Sequence, residues 1–390
     1  MAKHVVIAGG GTGGHLYPGI ALARTLMRHD KDIEVTFVGT RHGIEAKVLP
    51  REGLRLKTIL SSGILGKKGL KRWLSWCKLP IGITQSIWFL AKTKPDLVVG
   101  VGGYVSGPLV LSSWLLRIPI LIHEQNVTPG ITNKLLGKIA DKIAVSFKQS
   151  RRFFPAHKVV ETGNMIREEF SELKKETARA NTEKFCVLVL GGSQGAHSIN
   201  MAIIDALKYL TDTKDSLHFI HQTGQADAET VQQSYADKGF SADVQPFIYD
   251  MLDAYKKASL VVCRAGATTL AEITSCGKVS ILIPFPHAAH QHQEHNASMI
   301  KDAGACEMIH DQEINGENLS GAILRAMREP DRLKEMEEKS YNLGRRDATE
   351  KVRQLCMELL EKSRPANFAG QPSKKNNASC IWARPSASIL

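Results

Sequence analysis

Gly9-Gly10-Gly11-Thr12-Gly13-Gly14-His15 directly follows the apolar run Val5–Ala8. About half a chain later, Gly191-Gly192-Ser193-Gln194-Gly195 directly follows Cys186–Leu190. A buried strand, a glycine loop and a helix start, in that order, open a doubly wound α/β domain. Such a loop lets the backbone approach a ligand and aims helix N-terminal N–H groups at an anion. Two such openings predict two domains with a cleft between them. They also predict an enzyme that joins two substrates, at least one of them phosphorylated.

Working outward, short apolar runs at Val5–Ala8, Val35–Val38, Leu97–Gly100 and Pro119–His123 read as parallel strands. Helical stretches alternate with them at Pro18–His29, Ile44–Arg51, Ile83–Lys92 and Pro108–Leu116. The second half repeats the alternation, with strands near Phe185–Leu190, Leu217–Gln222, Leu260–Cys263 and Val279–Ile283. The domain boundary is expected near Glu161–Arg167, giving domains at 1–163 and 164–342. Glu168–Glu183 is polar, and reads as helical or linking. A charged helical stretch, Asp331–Glu361, closes the fold, and its last part, 343–362, is expected to pack back towards the first domain. The tail 363–390 is rich in Pro, Ser, Asn and Lys and is expected to be disordered.

The 390 residues suffice for two domains with full cores. The net charge of +12 is uneven. Residues 1–163 carry 24 Lys and Arg against 9 Asp and Glu, and the remainder 27 against 30. The first half is therefore expected to meet something anionic, an acidic membrane or an acidic substrate. Seven scattered cysteines form no CxxC pair, which argues against structural zinc and a disulfide framework and fits a reducing compartment. No signal peptide is read at the N-terminus, and no run reaches the ~18 apolar residues of a membrane span.

Gly9, Gly11 and Gly14 match G-x-G-x-x-G, but a nicotinamide site also wants an acid after the second strand. That strand ends Val38-Gly39-Thr40-Arg41, which argues against NAD. His15 at the mouth of the cleft is a candidate for catalysis. Gly102-Gly103-Tyr104-Val105-Ser106-Gly107-Pro108 and His123-Glu124-Gln125-Asn126 end two further strands on the same carboxyl edge. In the second half, Ser193 and the loop amides suit a phosphate. Arg264-Ala265-Gly266-Ala267-Thr268-Thr269 opens a second helix whose N-terminus suits a diphosphate, and Glu272 within it suits two ribose hydroxyls. His287, His290, His292 and His295 tempt a metal assignment, but no HExxH appears, and Gln293 and Asn296 suit sugar hydroxyls better. Ile64–Lys78 mixes Trp73 and Trp76 with five bases, the pattern of an interfacial element on a membrane surface. No nucleic-acid-binding motif is present.

GGGTGGH with Pro18-Gly19, VGGYVSGP, HEQN, Gly163-Asn164 with Arg167, LGGSQGA, CRAGATTLAEI and the HQxxNA ending at Ala297 stand here in one order. They resemble the MurG family, the N-acetylglucosamine transferases of bacterial peptidoglycan synthesis, from about residue 3 to about residue 360. The resemblance implies a GT-B fold of two Rossmann-like domains. It implies UDP-N-acetylglucosamine as donor and lipid I, a membrane-held undecaprenyl-diphosphate muramyl pentapeptide, as acceptor. On the donor it implies Ser193, Ala267, Thr268 and Thr269 at the diphosphate, Ile248 at uracil, Glu272 at ribose, Gln293 at the sugar and Arg167 near the nucleotide. On the acceptor side it implies Gly11, Thr12, His15, Tyr104, Glu124 and Asn126, with Thr12, Gly13, Gly14 and Asn126 also reaching the donor. His15 is the first choice of base; Glu124 is its substitute or the group that orients it.

The resemblance further implies no required cofactor, with divalent-ion stimulation left open. Implied partners are anionic phospholipids and other cell-wall synthesis proteins, at the cytoplasmic face of the inner membrane. A UDP-N-acetylglucosamine 2-epimerase shares the two-domain design but leaves the Ile64–Lys78 patch unexplained. A non-catalytic membrane scaffold would bind UDP-sugar and lipid and release no UDP.

Overall fold

The structure, a computed structural model, describes residues 2–61, 69–171, 183–192, 194–288 and 291–362. The tail 363–390, Ser193, His290 and most of the Glu168–Glu183 stretch lie outside the described residues, as do 64–68 of the Ile64–Lys78 segment and the side chains of 69–77, Trp73 and Trp76 among them.

The first sheet holds seven strands: β1 Lys3–Ala8, β2 Ile33–Gly39, β3 Arg55–Thr58, β4 Leu97–Gly100, β5 Ile120–Glu124, β6 Lys142–Val145 and β7 Val159–Glu161. Their order is β3-β2-β1-β4-β5-β6-β7. The second sheet holds six: β8 Phe185–Leu190, β9 Leu217–Gln222, β10 Ser241–Gln245, β11 Leu260–Cys263, β12 Ser280–Leu282 and β13 Cys306–Met308. Their order is β10-β9-β8-β11-β12-β13. Every pairing is parallel. These are two doubly wound sheets, each reversing its strand order once, at β1/β4 and at β8/β11.

Side chains alternate across a strand, and both faces here are buried. Val5 and Ile7 enter one apolar layer while Val6 and Ala8 enter the other. Val187 and Val189 separate from Cys186, Leu188 and Leu190 in the same way. This is why the central strands read as continuous apolar runs.

The closing charged stretch is two helices, Pro330–Leu343 and Ala348–Lys362. Arg346 sits at the break. Its guanidinium donates to Tyr341 O at 3.2 Å and to Ser275 O at 3.0 Å, so one side chain satisfies the carboxyl ends of two helices. The chain crosses between domains twice, and the crossings are stitched together. Thr349 Oγ1 accepts from Ile166 N at 3.1 Å and donates to Ile166 O at 2.8 Å. Beyond this point Val352, Leu355, Cys356, Leu359 and Leu360 pack in one layer with Val5, Ile7 and Leu16. The chain's last described helix therefore belongs to the first domain's core.

Leu360 is 2% exposed. Leu360→Ala should cost about 2–5 kcal/mol, read from urea unfolding, while Glu358→Ala on the exposed face should cost under about 0.5 kcal/mol.

Candidate active site

Where strand order reverses, successive helices leave on opposite faces and a crevice opens at the carboxyl ends of the strands. The first crevice is walled by the glycine loop after β1 and the glycine loop after β4. The second is walled by Gly191, Gly192 and Gly195 after β8 and Arg264–Gly266 after β11.

His15 lies in the first turn of the helix Gly13–His29. Its Nδ1 is 3.1 Å from Val101 O, a carbonyl that can only accept. Nδ1 therefore carries the proton, and Nε2 is left with the lone pair. Gln125 Nε2 donates to the same carbonyl at 2.6 Å. Burial pushes the His15 pKa below 6.5, against the hydrogen bonds to Gln125 and Val101. The imidazole is thus fixed and held neutral. Gly102 makes this possible: its φ is +96°, and a Cβ there would meet His15 Nδ1 at 2.6 Å. Tyr104 closes on the first loop similarly, since a Cβ on Gly11 would lie 2.8 Å from its ring.

Glu124 is 1% exposed and both its oxygens are engaged. Oε1 accepts from Asn126 N at 2.9 Å and Asn126 Nδ2 at 3.2 Å, and Oε2 from Asn133 Nδ2 at 2.9 Å. Burial raises its pKa, against these hydrogen bonds. No hydrogen bond joins Glu124 to His15 among the described residues. Glu124 positions Asn126, and Val101 with Gln125 orients His15. His123, pushed down to about 4 by burial, bonds Gly163 O at 3.2 Å and so ties β5 to the domain crossing.

The two crevices meet. Asn296 Nδ2 donates to Asn126 Oδ1 at 3.2 Å and to Ala265 O at 3.3 Å, and its Oδ1 accepts from Val127 N at 3.0 Å. Thr268 Oγ1 donates to Gly14 O at 3.1 Å. These bonds join the first domain's loops to the helix that follows β11 and to the helix His292–Asp302.

On the second domain, the helix Ala267–Ser275 starts with no side-chain cap, so the N–H groups of Ala267, Thr268 and Thr269 have no intrahelical acceptor. Glu272 accepts long bonds of 3.4 Å from both Arg167 Nη2 and Tyr255 OH. Burial raises its pKa, with Arg167 opposing. Ile248 N donates to Gln222 Oε1 at 2.9 Å, and Gln293 Oε1 accepts from Phe285 N at 3.0 Å. Of the described histidines here, His287 stacks edge-on to Phe285, and His295 Nδ1 is 3.1 Å from Thr128 Oγ1. No group of three metal-ligating side chains occurs among the described residues.

Sequence reasoning missed Glu45, which is fully buried beneath the first loop and accepts from Gly11 N at 3.0 Å and Thr40 N at 2.8 Å. It also missed the roles of Gln125 and Gln222. Each of these two ends a strand or follows one directly, and that position was the available signal.

Residues 5–145 match the glycosyltransferase family 28 N-terminal domain, and 186–352 match its C-terminal domain. A UDP-N-acetylglucosamine–N-acetylmuramyl-(pentapeptide) pyrophosphoryl-undecaprenol N-acetylglucosamine transferase of Myxococcus xanthus is 50% identical over 91% of this chain and 93% of its own. The chain belongs to the MurG family of glycosyltransferases. A protein of the same name from Geobacter sulfurreducens is 48% identical over 89% of this chain and 96% of its own. The crystal structure of Acinetobacter baumannii MurG matches with a TM-score of 0.72 at 31% identity, covering 91% of this chain and 99% of that one. A UDP-bound Staphylococcus aureus MnaA structure, 17% identical with a TM-score of 0.66 over 92% of this chain and 97% of that one, shares the fold. The GT-B architecture read from the sequence is the one found.

Gly102→Ala should displace His15 and lower kcat about 10²-fold, with UDP affinity unchanged in titration calorimetry. Because the His15 pKa is lowered, its base form persists on acidification. The acid limb of the kcat/KM profile should therefore fall below pH 6.5.

Proposed function

We propose that this enzyme moves N-acetylglucosamine from UDP-N-acetylglucosamine to the C4 hydroxyl of the muramyl sugar of lipid I, giving lipid II. The observation that carries the reading is the fixed imidazole of His15 in one crevice, next to Gly14, whose carbonyl bonds Thr268 in the first turn of the other crevice's uncapped helix. The donor diphosphate lies at Ala267, Thr268, Thr269 and Ser193, with Thr12, Gly13 and Gly14 reaching it from the first domain. Ribose hydroxyls replace the long contacts of Glu272, Arg167 lies beside the nucleotide, and the Ile248 backbone meets uracil. Gln293 reads the transferred sugar. Gly11, Tyr104 and Asn126 flank the acceptor.

In one in-line displacement the muramyl O4 bonds to the anomeric carbon, and the bond from that carbon to the UDP oxygen breaks. The anomeric centre inverts to a β-1,4 linkage. His15 Nε2 takes the O4 proton. Helix N-termini stabilise the charge that develops on UDP. The reading calls on no cofactor.

The acceptor is membrane-held, and one face of the first domain suits a membrane. Ile81, Trp88, Trp114, Leu115 and Leu135 are exposed, Trp88 and Leu135 by 60% each. Lys57 and Lys92 lie 5.9 and 5.3 Å from the Trp88 ring, and Lys134 lies 4.4 Å from that of Phe153. Apolar side chains ringed by bases fit an anionic phospholipid surface. No helix among the described residues is long and apolar enough to cross a membrane. The proposed place is the cytoplasmic face of the inner membrane, held peripherally.

The test supplies UDP-N-acetylglucosamine and a short-chain lipid I analogue and follows UDP and disaccharide together. UDP release that requires the acceptor, with a β-1,4 product, is expected; UDP release without acceptor would point to an epimerase. His15→Ala should lower kcat by about 10²–10⁴-fold with UDP binding retained. Near-full turnover would remove His15 as base. Cosedimentation with phosphatidylglycerol vesicles should exceed that with phosphatidylcholine and weaken in Trp88→Glu and at high salt.

A further inference from the structure

The donor pocket named above has two ends, the diphosphate loop 191–195 and the turn at Ile248. One side chain spans them. Gln222 ends β9 and is 4% exposed. Its Nε2 donates to Gly192 O at 2.9 Å, beside Ser193. Its Oε1 accepts from Ile248 N at 2.9 Å. Gly192 O can only accept and Ile248 N can only donate, so the spanning group must offer one donor and one acceptor in a rigid plane. A carboxamide does this; a carboxylate, an ammonium or an alkyl group does not.

The backbone around it is packed without slack. Gly191 N donates to Gln222 O, Thr223 N donates to Gln245 O, and Gly224 N donates to Pro246 O. A Cβ on Gly195 would meet Thr223 O at 2.1 Å. The end of β9 is thus a wedge between the two walls, and the Gln222 amide is the side-chain link through it.

We infer that Gln222 is a positioning residue that couples recognition of the base to recognition of the diphosphate, so that a uridine nucleotide seated at Ile248 sets the phosphate-binding loop. The inference rests on the donor reading given above. It makes the selectivity for a nucleoside diphosphate a property of the pair of walls together, with Gln222 touching neither substrate end itself.

The discriminating variant is Gln222→Glu. It keeps an acceptor for Ile248 N and sets a carboxylate oxygen against Gly192 O. Calorimetry with UDP and with uridine, on the full chain, reads each wall separately. UDP affinity should fall about 10- to 100-fold while uridine affinity changes less than about 3-fold. Gln222→Leu should lower both. A folded Gln222→Glu, with wild-type Tm, that binds both ligands as wild type does overturns the inference. Equal loss of both overturns it too, because that is what general loosening of the domain would give. Wild-type protein that fails to bind UDP overturns the donor reading instead. Should Gln222→Glu not fold, hydrogen exchange on the wild type decides. Uridine should slow exchange at 191–195 as well as at 246–250; protection confined to 246–250 overturns the coupling.

Discussion

Everything at the site depends on where two parallel sheets reverse their strand order. At β1/β4 and again at β8/β11 the connecting loops part, and backbone polar groups at strand ends face a crevice in place of a neighbour. A parallel sheet buried on both faces has nowhere else to place chemistry without burying unpaired polar atoms. His15, Tyr104, Thr268 and Gln293 all stand on loops or first helical turns at these edges. Asn296, fully buried, then fixes how the two edges face each other through bonds to Asn126, Val127 and Ala265.

The two halves divide the electrostatics between them. In the first, buried carboxylates hold structure: Glu45 engages the amide of Gly11, and Glu124 engages Asn126 and Asn133. The imidazole between them is kept neutral by burial. In the second, the uncapped helix amides offer positive potential to an anion, while Arg167 is paired with Glu169 and Glu272. In the reading proposed above, this sets a neutral base opposite an anion-stabilising wall, as a displacement from a diphosphate requires.

Legibility followed burial. Val5–His15 and Cys186–Gly195 could be read because each is an unbroken apolar run, Val5–Ala8 or Cys186–Leu190, that leads straight into glycines. Strands β3 and β10 were missed, being edge strands of four and five residues with half-exposed or exposed side chains such as Arg55 and Asp243. β7 and β13, the edge strands of three residues on the other side of each sheet, were missed too, as was β6, a buried run of only four residues. The closing helical stretch expected over 331–361 is two helices: Gly344 ends the first, a local stop signal that was passed over, and Arg346 then bonds Tyr341 O and the distant Ser275 O across the break. His15, Glu124 and Asn126 were legible as polar residues ending apolar runs. The bond between Asn126 and Asn296 spans 170 residues, and composition could not show it. Trp88 and Trp114 stand in helical stretches whose sequence does not say which face is covered, and their exposure marks a surface.

The last helix carries a consequence for how the chain is made. Val352, Leu355, Cys356, Leu359 and Leu360 complete the layer begun by Val5 and Ile7. The first sheet is made early, but five buried side chains of one of its two apolar layers come only with this late helix. The second domain, whose two apolar layers draw on residues 166–343, can close before it. Domains usually mature in the order of synthesis. Here the amino-terminal domain's packing is finished by the last helix to be made, so its full stability comes only after the second domain has been synthesised.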